Sequence, residues 1–267
     1  DCSSNIVTRI LSYTGTGIFY YEMKNLTGLS VITHRHSLAS FLGMIASIDT
    51  NIGRLDEMLL SSGLYDNTIL IFMTDNGTQN GKAQEIFNAG MRARKTSVYE
   101  GGHRVPFYIR WVDGKLQHGT DIAELAQAQD ILPTLIDLCG LQRSSADLDG
   151  TSLAALLKGK EKKLPERMCV VQYKGQGEKW EPAVVMWNKW RLTLGRELYN
   201  IKDDPGQKNN VFDKFPEITQ KMMAHYDEWY KEAKPLYDME RYIIVGSPES
   251  NPSILYASDW QGDYCDN

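Results

Sequence analysis

The chain has 267 residues, 42% of them apolar and 10% aromatic, with a net charge of −5 at neutral pH. That length and apolar content fit one large domain, or a domain with a smaller appendage, built on a real hydrophobic core. The acidic balance argues against a general nucleic-acid binder, and no apolar run is long enough to span a membrane.

Residues 1–36 have no assignable pattern. Ser, Thr, Gly and Tyr alternate there without a period around one apolar patch, Ile18-Phe19-Tyr20-Tyr21, and Asn25-Leu26-Thr27 is a glycosylation sequon that matters only in a secreted protein. No charged-then-apolar leader is visible at Asp1. From Ser37 onward Leu38, Phe41, Leu42, Ile45, Ile48, Ile52, Leu55, Met58 and Leu59 recur at three- and four-residue steps. This spacing predicts a long amphipathic helix, closed by Gly63. Asp66-Asn67 turns the chain into a predicted strand, Thr68 to Thr74, and a second, Val105 to Trp111, follows the Gly101-Gly102 turn. A helix is expected from Asp121 to Cys139, kinked or restarted at Pro133, then a short one from Leu153 to Leu157 capped by Asp149-Gly150-Thr151-Ser152.

The charged stretch Lys158 to Arg167 reads as a linker or surface loop. Beyond it the period shifts to two, predicting short antiparallel strands at Met168–Tyr173, Ala183–Trp187, Lys189–Leu194 and Glu197–Tyr199. Asp203-Asp204-Pro205-Gly206 is a turn, and Pro216 opens a last helix, Glu217 to Ala233, whose Tyr226, Trp229 and Tyr230 should pack on the small sheet. The tail from Pro235 reads as irregular. These shifts divide the chain into an unassigned segment (1–36), an α/β part (37–160), a small sheet-plus-helix unit (161–234) and a tail (235–267). The four cysteines, Cys2, Cys139, Cys169 and Cys265, form no CxxC pair, which argues against a zinc site. Cys139 and Cys169 sit in apolar settings that predict burial, and a Cys2–Cys265 disulfide is conceivable.

Chemistry concentrates in two places. Asp75 and Asn76 follow the apolar strand Ile69 to Met73, where open α/β sheets gather ligands, and offer adjacent hard oxygens suited to Ca²⁺. Asp-Asn-Gly is also ordinary turn chemistry. Lys95 stands in a small basic cluster with Arg92 and Arg94, ahead of Glu100-Gly101-Gly102. It is either a solvated loop cation or a point charge for a bound anion. His103 either lines the same pocket or plays a structural hydrogen-bonding role, and His34 and His36 are further acid–base candidates. No GxSxG elbow, Walker loop or dinucleotide fingerprint is present.

Thr-Asp-Asn-Gly at 74–77, Phe-Asn-Ala-Gly-Met-Arg at 87–92, Lys-Thr-Ser-Val-Tyr-Glu-Gly-Gly at 95–102 and Arg-Val-Pro at 104–106 resemble the type I sulfatases (arylsulfatases) of the alkaline phosphatase superfamily. Matching segments occur in the family's order from about residue 37 to 232, among them Asp149-Gly150-Thr151-Ser152-Leu153 and Glu197-Leu198-Tyr199-Asn200. The resemblance implies part of a mixed-sheet α/β domain, followed by a small α+β domain of antiparallel strands and one helix. It implies a sulfuric ester hydrolase acting on a sulfated carbohydrate or aryl sulfate, outside the cytosol: secreted, periplasmic or lysosomal. Asp75 and Asn76 would be Ca²⁺ ligands, and Lys95 would contact the sulfate and the ester oxygen, with His103 beside them. The family's nucleophile is a formylglycine made within a Cys-x-Pro-x-Arg segment, and none of the four cysteines here has that setting. The family's Asp-Asp metal pair and Lys-x-His also lack counterparts. The chain alone is therefore expected to show no sulfatase turnover. A truncated, non-catalytic sulfatase-like protein and a phosphate-ester hydrolase of the same superfamily are the alternative readings.

Overall fold

In a computed structural model of the protein, residues 31–142, 147–173, 178–237, 242–245 and 253–256 are described. The Ile18–Tyr21 patch, the Asn25 sequon and the candidate Cys2–Cys265 pair lie outside them. Helix α1 (Val31–Ser61) begins earlier than the expected Ser37. No glycine or proline interrupts 31–37, so the helix runs through that stretch. His34 and His36 fall in its first turns. Gly63, at φ 70°, ends the helix: its N–H donates to the Leu60 carbonyl, and that of Leu64 to Leu59.

Strand β1 (Leu70–Met73) pairs antiparallel with β2 (Phe107–Arg110), from Leu70 opposite Arg110 to Met73 opposite Phe107. Between them lie two short helices, α2 (Gly81–Ile86) and α3 (Glu100–His103). The segment from Asp121, expected to be helical, is irregular as far as Gln127; a 3₁₀ turn over Ala128–Asp130 then leads into α4 (Ile131–Cys139). The buried Asp130 carboxylate stops the helix from extending backward, because it accepts from the Gln127 and Thr151 N–H groups, 2.7 Å each. Pro133 therefore sits in the first turn of α4, where its missing N–H costs nothing, and makes no kink. Cys139 ends this helix and is exposed, whereas Cys169 is buried as expected. The short helix α5 (Ala154–Leu157) packs with Leu116, Leu138 and Leu153 in one small core.

The charged stretch 158–167 contains no helix or strand, but it is tied down: Arg167 holds Asp130 in a two-point ion pair at 2.6 and 2.7 Å. Strands β3 (Met168–Gln172), β4 (Ala183–Trp187), β5 (Trp190–Thr193) and β6 (Glu197–Asn200) follow as an antiparallel meander in chain order. Helix α6 (Pro216–Tyr237) lies over this sheet and runs past the expected Ala233, with Pro235 in its terminal turn. Met222 and Tyr226 of α6 join Ala183, Val185, Leu192 and Leu198 in a fully buried core, with Trp229 and Tyr230 packed against it. In the tail, β7 (Tyr242–Val245) pairs antiparallel with β8 (Ser253–Tyr256) where irregular chain was expected. Both segments are rich in β-branched and aromatic residues, which a pleated ribbon accommodates well. No helix among the described residues is long and apolar enough to cross a membrane.

Candidate functional site

The two motifs singled out above are separated in sequence by one short helix, α2, and adjoin in the fold. The chain leaves β1 at Met73 and turns through Thr74 to Gly77; Asp75 Oδ1 accepts the Asn76 N–H at 2.9 Å, and Thr74 Oγ1 donates to the Asn76 carbonyl at 3.3 Å. This turn is sewn to the Lys95–Gly102 segment by backbone hydrogen bonds. Gly77 N–H donates to the Gly102 carbonyl and Lys95 N–H to the Thr78 carbonyl, 3.0 Å each. The approach requires glycine: a Cβ on Gly77 would lie 1.9 Å from the Gly101 carbonyl oxygen, and one on Gly101 would lie 2.2 Å from that of Ala93. Gly101 N–H in turn donates to the Arg92 carbonyl at 2.8 Å. Three backbone segments thus meet here, with the Asn88 amide donating to the Met91 and Ala93 carbonyls at 2.9 and 2.8 Å beside them.

Asp75 is exposed, and Asn76 and Lys95 are half-buried. No side chain among the described residues pairs with the Lys95 ammonium. The turn therefore offers a carboxylate and an amide oxygen, and the neighbouring loop offers a cation. Among the described residues no group of three or more His, Cys, Asp or Glu side chains could hold a metal by itself. His103, at the end of α3, is largely buried; its Nε2 lies 4.0 Å from Glu100 Oε1 without a hydrogen-bond partner among the described residues, while the ring also bonds the Val98 backbone. Burial pushes its pKa down, Glu100 pulls it up, and Arg191 pushes it down again, so the imidazole is held toward its neutral form.

Sequence reasoning missed the residues that hold this loop from behind. Glu100, 1% exposed, receives Arg191 Nε of β5 at 2.7 Å, and its own N–H donates to Gln207 Oε1 at 2.8 Å. The Arg191 guanidinium also donates to the Asn188 and Trp190 carbonyls at 2.8 and 2.9 Å. Arg92 stacks 3.7 Å over the Tyr99 ring and donates to Tyr199 Oη at 2.9 Å and to the Gln207 carbonyl at 3.0 Å. Both phenols, Tyr99 and Tyr199, donate to Glu197 Oε2 at 2.7 Å. Burial, then the Glu197 carboxylate, pushes the Tyr99 pKa up to about 12, so Tyr99 stays a neutral donor. Arg92, Tyr99, Glu100, Glu197 and Tyr199 stood in the motifs already quoted, but their pairing did not; for Arg191 the signal was a charged residue within a period-two strand.

The strand-end turn of Asp75 and Asn76 and the loop of Lys95 thus adjoin through glycine backbone. The chain matches the Sulfatase family model over residues 8–141, and the model described as N-sulphoglucosamine sulphohydrolase, C-terminal, over residues 93–232. It belongs to the sulfatase family. The first match reaches back to residue 8, into the segment that sequence reasoning left unassigned. Among curated relatives, an N-acetylgalactosamine-6-O-sulfatase of Bacteroides thetaiotaomicron is 33% identical over 206 residues, covering 67% of this chain and 39% of its own length. An N-acetylglucosamine-6-O-sulfatase of the same organism is 24% identical over 259 residues, 90% of this chain and 42% of its own length. The solved structure of Ps i-CgsB in complex with k-i-k-neocarrahexaose superposes with a TM-score of 0.63 at 27% identity, covering 70% of this chain and 42% of that one. The fold is that of the alkaline phosphatase-like sulfatases. The chain spans about two-fifths of the length of these relatives.

Proposed function

We propose that these residues form the metal-turn and lysine side of a site that hydrolyses sulfate esters, with a sulfated sugar as substrate. The observation that carries this reading is the clamp that sets the Asp75–Asn76 turn against the Lys95 loop through Gly77 and Gly102. The saccharide sulfatases among the relatives support the substrate class.

Asp75 and Asn76 are hard oxygen donors at an accessible turn, and in kind they fit Ca²⁺. In number they fall short of the six to eight oxygens, roughly, that such an ion takes, so further ligands must come from other residues. When bound, Ca²⁺ would neutralise charge on the sulfate oxygens. Lys95 would set its ammonium against a sulfate oxygen and the bridging ester oxygen, stabilising the negative charge that grows on the leaving alcohol as the S–O bond breaks. The attacking hydroxyl, a formylglycine hydrate in this reading, is not furnished by Cys2, Cys139, Cys169 or Cys265, none of which lies in a Cys-x-Pro-x-Arg setting.

The test uses the intact protein that carries these 267 residues and a chromogenic aryl sulfate. Lys95→Ala and Asp75→Ala should each lower kcat/KM by about 10²–10³-fold, the loss typical of removing one preorganised stabiliser of transition-state charge. Turnover within threefold of wild type in both folded variants would overturn the assignment. The 267-residue chain alone should give no turnover.

A further inference from the structure

We infer that Arg191, on β5 of the C-terminal sheet, is a positioning residue for the candidate site, acting through Glu100 on both the Lys95 loop and the Asp75–Asn76 turn. Arg191 is 91 residues from Glu100 in sequence and donates to its carboxylate at 2.7 Å, with both groups buried. Its other contacts fix it in place: Nη1 donates to the Asn188 and Trp190 carbonyls, so the guanidinium cannot follow the loop if the loop moves. Glu100 is the first residue of α3, and this short helix carries two of the backbone groups that clamp the site, Gly101 N–H and the Gly102 carbonyl; the third clamp, Lys95 N–H to the Thr78 carbonyl, lies just ahead of it. Gly101 N–H holds the Arg92 carbonyl, and the Gly102 carbonyl holds Gly77, the residue next to Asn76.

The geometry therefore runs in two bonded steps from a rigid sheet to the turn with the candidate metal ligands. Arg104 approaches the second Glu100 oxygen at 3.4 Å, but it is mostly exposed and makes a weak substitute. A carboxylate sealed at 1% exposure needs a fixed partner, and Arg191 provides it from an element with no part in the chemistry. The effect on catalysis rests on the function proposed above; the coupling between β5 and the two loops does not.

The experiment compares Arg191→Lys, and the double variant Glu100→Met/Arg191→Met, with wild type in the intact protein. The double variant removes both buried charges, so no unpaired carboxylate is left to unfold the chain. Amide hydrogen exchange is read at Gly77, Lys95 and Gly101, and separately at Val184 and Leu192 of the sheet. In the double variant the first three amides should exchange at least about tenfold faster, with the sheet amides unchanged. Arg191→Lys keeps the charge but not the fork and should fall between the two. Unchanged exchange at Gly77 and Gly101 overturns the inference. Loss of protection at Val184 and Leu192 as well makes Arg191 a prop of the sheet alone and also overturns it.

Aryl-sulfate kinetics form the second readout. A displaced loop should lower kcat of the double variant by about 10- to 100-fold, with KM within about twofold. Wild-type kcat in the folded double variant would overturn the inference. If the intact wild-type protein hydrolyses no sulfate ester, the functional reading fails, and the exchange data still decide the coupling.

Discussion

In the C-terminal unit, Tyr226 and Met222 of α6 reach a sheet whose Val185, Leu192 and Leu198 are fully excluded from water. In the N-terminal region the long helix α1 leaves Met44 60% exposed and Ile48 51%, and the sheet beside it has two strands among the described residues. One region closes around its own side chains. The other holds the candidate site by backbone contact through Gly77 and Gly101, and by charged groups anchored in the first region, Arg191 and Glu197. Placement of the candidate chemistry therefore depends on a sheet that contributes none of it. Among the described residues α1 fully buries only Leu38 and Leu59 of its apolar side chains.

The comparison breaks most readily at Tyr226. This ring stacks on Trp180 with centroids 3.8 Å apart, accepts the Trp180 N–H at 2.8 Å and donates to Gln172 Oε1 at 3.0 Å. Tyr226→Ala removes a large buried ring and two polar contacts together and should cost about 3–5 kcal/mol. Urea unfolding followed by tryptophan fluorescence measures it. If the site loops depend on this unit, exchange at Gly77 should rise with exchange at Leu192. A site that stays protected while the sheet opens would show that the N-terminal region stands alone.

Much of the C-terminal unit was legible because each of its elements satisfies a local rule. The period-two runs lie within a residue or two of β3–β6, and the aromatic spacing of 226, 229 and 230 marks the inner face of α6. The two site motifs were legible as turns, since Asp-Asn-Gly and Glu-Gly-Gly carry their backbone geometry with them. Their meeting was not legible, because it rests on close approach of Gly77 to Gly101, a relation with no periodicity. The pairing of Glu100 with Arg191 was hidden for the same reason: opposite charges far apart in sequence have many potential partners. At 121–130 a helix was expected, but the buried Asp130 redirects the backbone toward Thr151 and Arg167.

A smaller effect probes the seam between the regions through His103. Burial, partly offset by Glu100, holds its pKa below the ordinary 6.5. The unfolded chain therefore binds a proton more readily than the folded one between that depressed value and 6.5. The stabilisation is complete above about pH 6.5 and is lost as pH falls from there toward the folded pKa. His103→Asn should flatten the stability profile over that window relative to wild type, as read from urea midpoints between pH 5 and 8. Parallel profiles would mean that the imidazole is not sealed against Glu100 and that the seam is open to water.

The smallest expected change lies on α1 and tests the other half of the comparison. Met44, Ile48, Leu55 and Met58 fall on one side of the helix, all exposed, beside the stripe that packs inward at Leu38 and Leu59. Replacing an exposed apolar side chain removes little burial, so Met44→Gln and Ile48→Gln should each shift the stability of the 267-residue chain by no more than about 0.5 kcal/mol. The same changes should lower its self-association, because a row of exposed apolar residues on one helix is a sticky surface. Sedimentation of wild type and of a chain carrying both Met44→Gln and Ile48→Gln, over a concentration series, reads this directly. A loss of stability above about 2 kcal/mol would mean that the stripe is covered within the chain itself. In that case the N-terminal region has a core of its own, and the contrast with the C-terminal unit narrows to one of size.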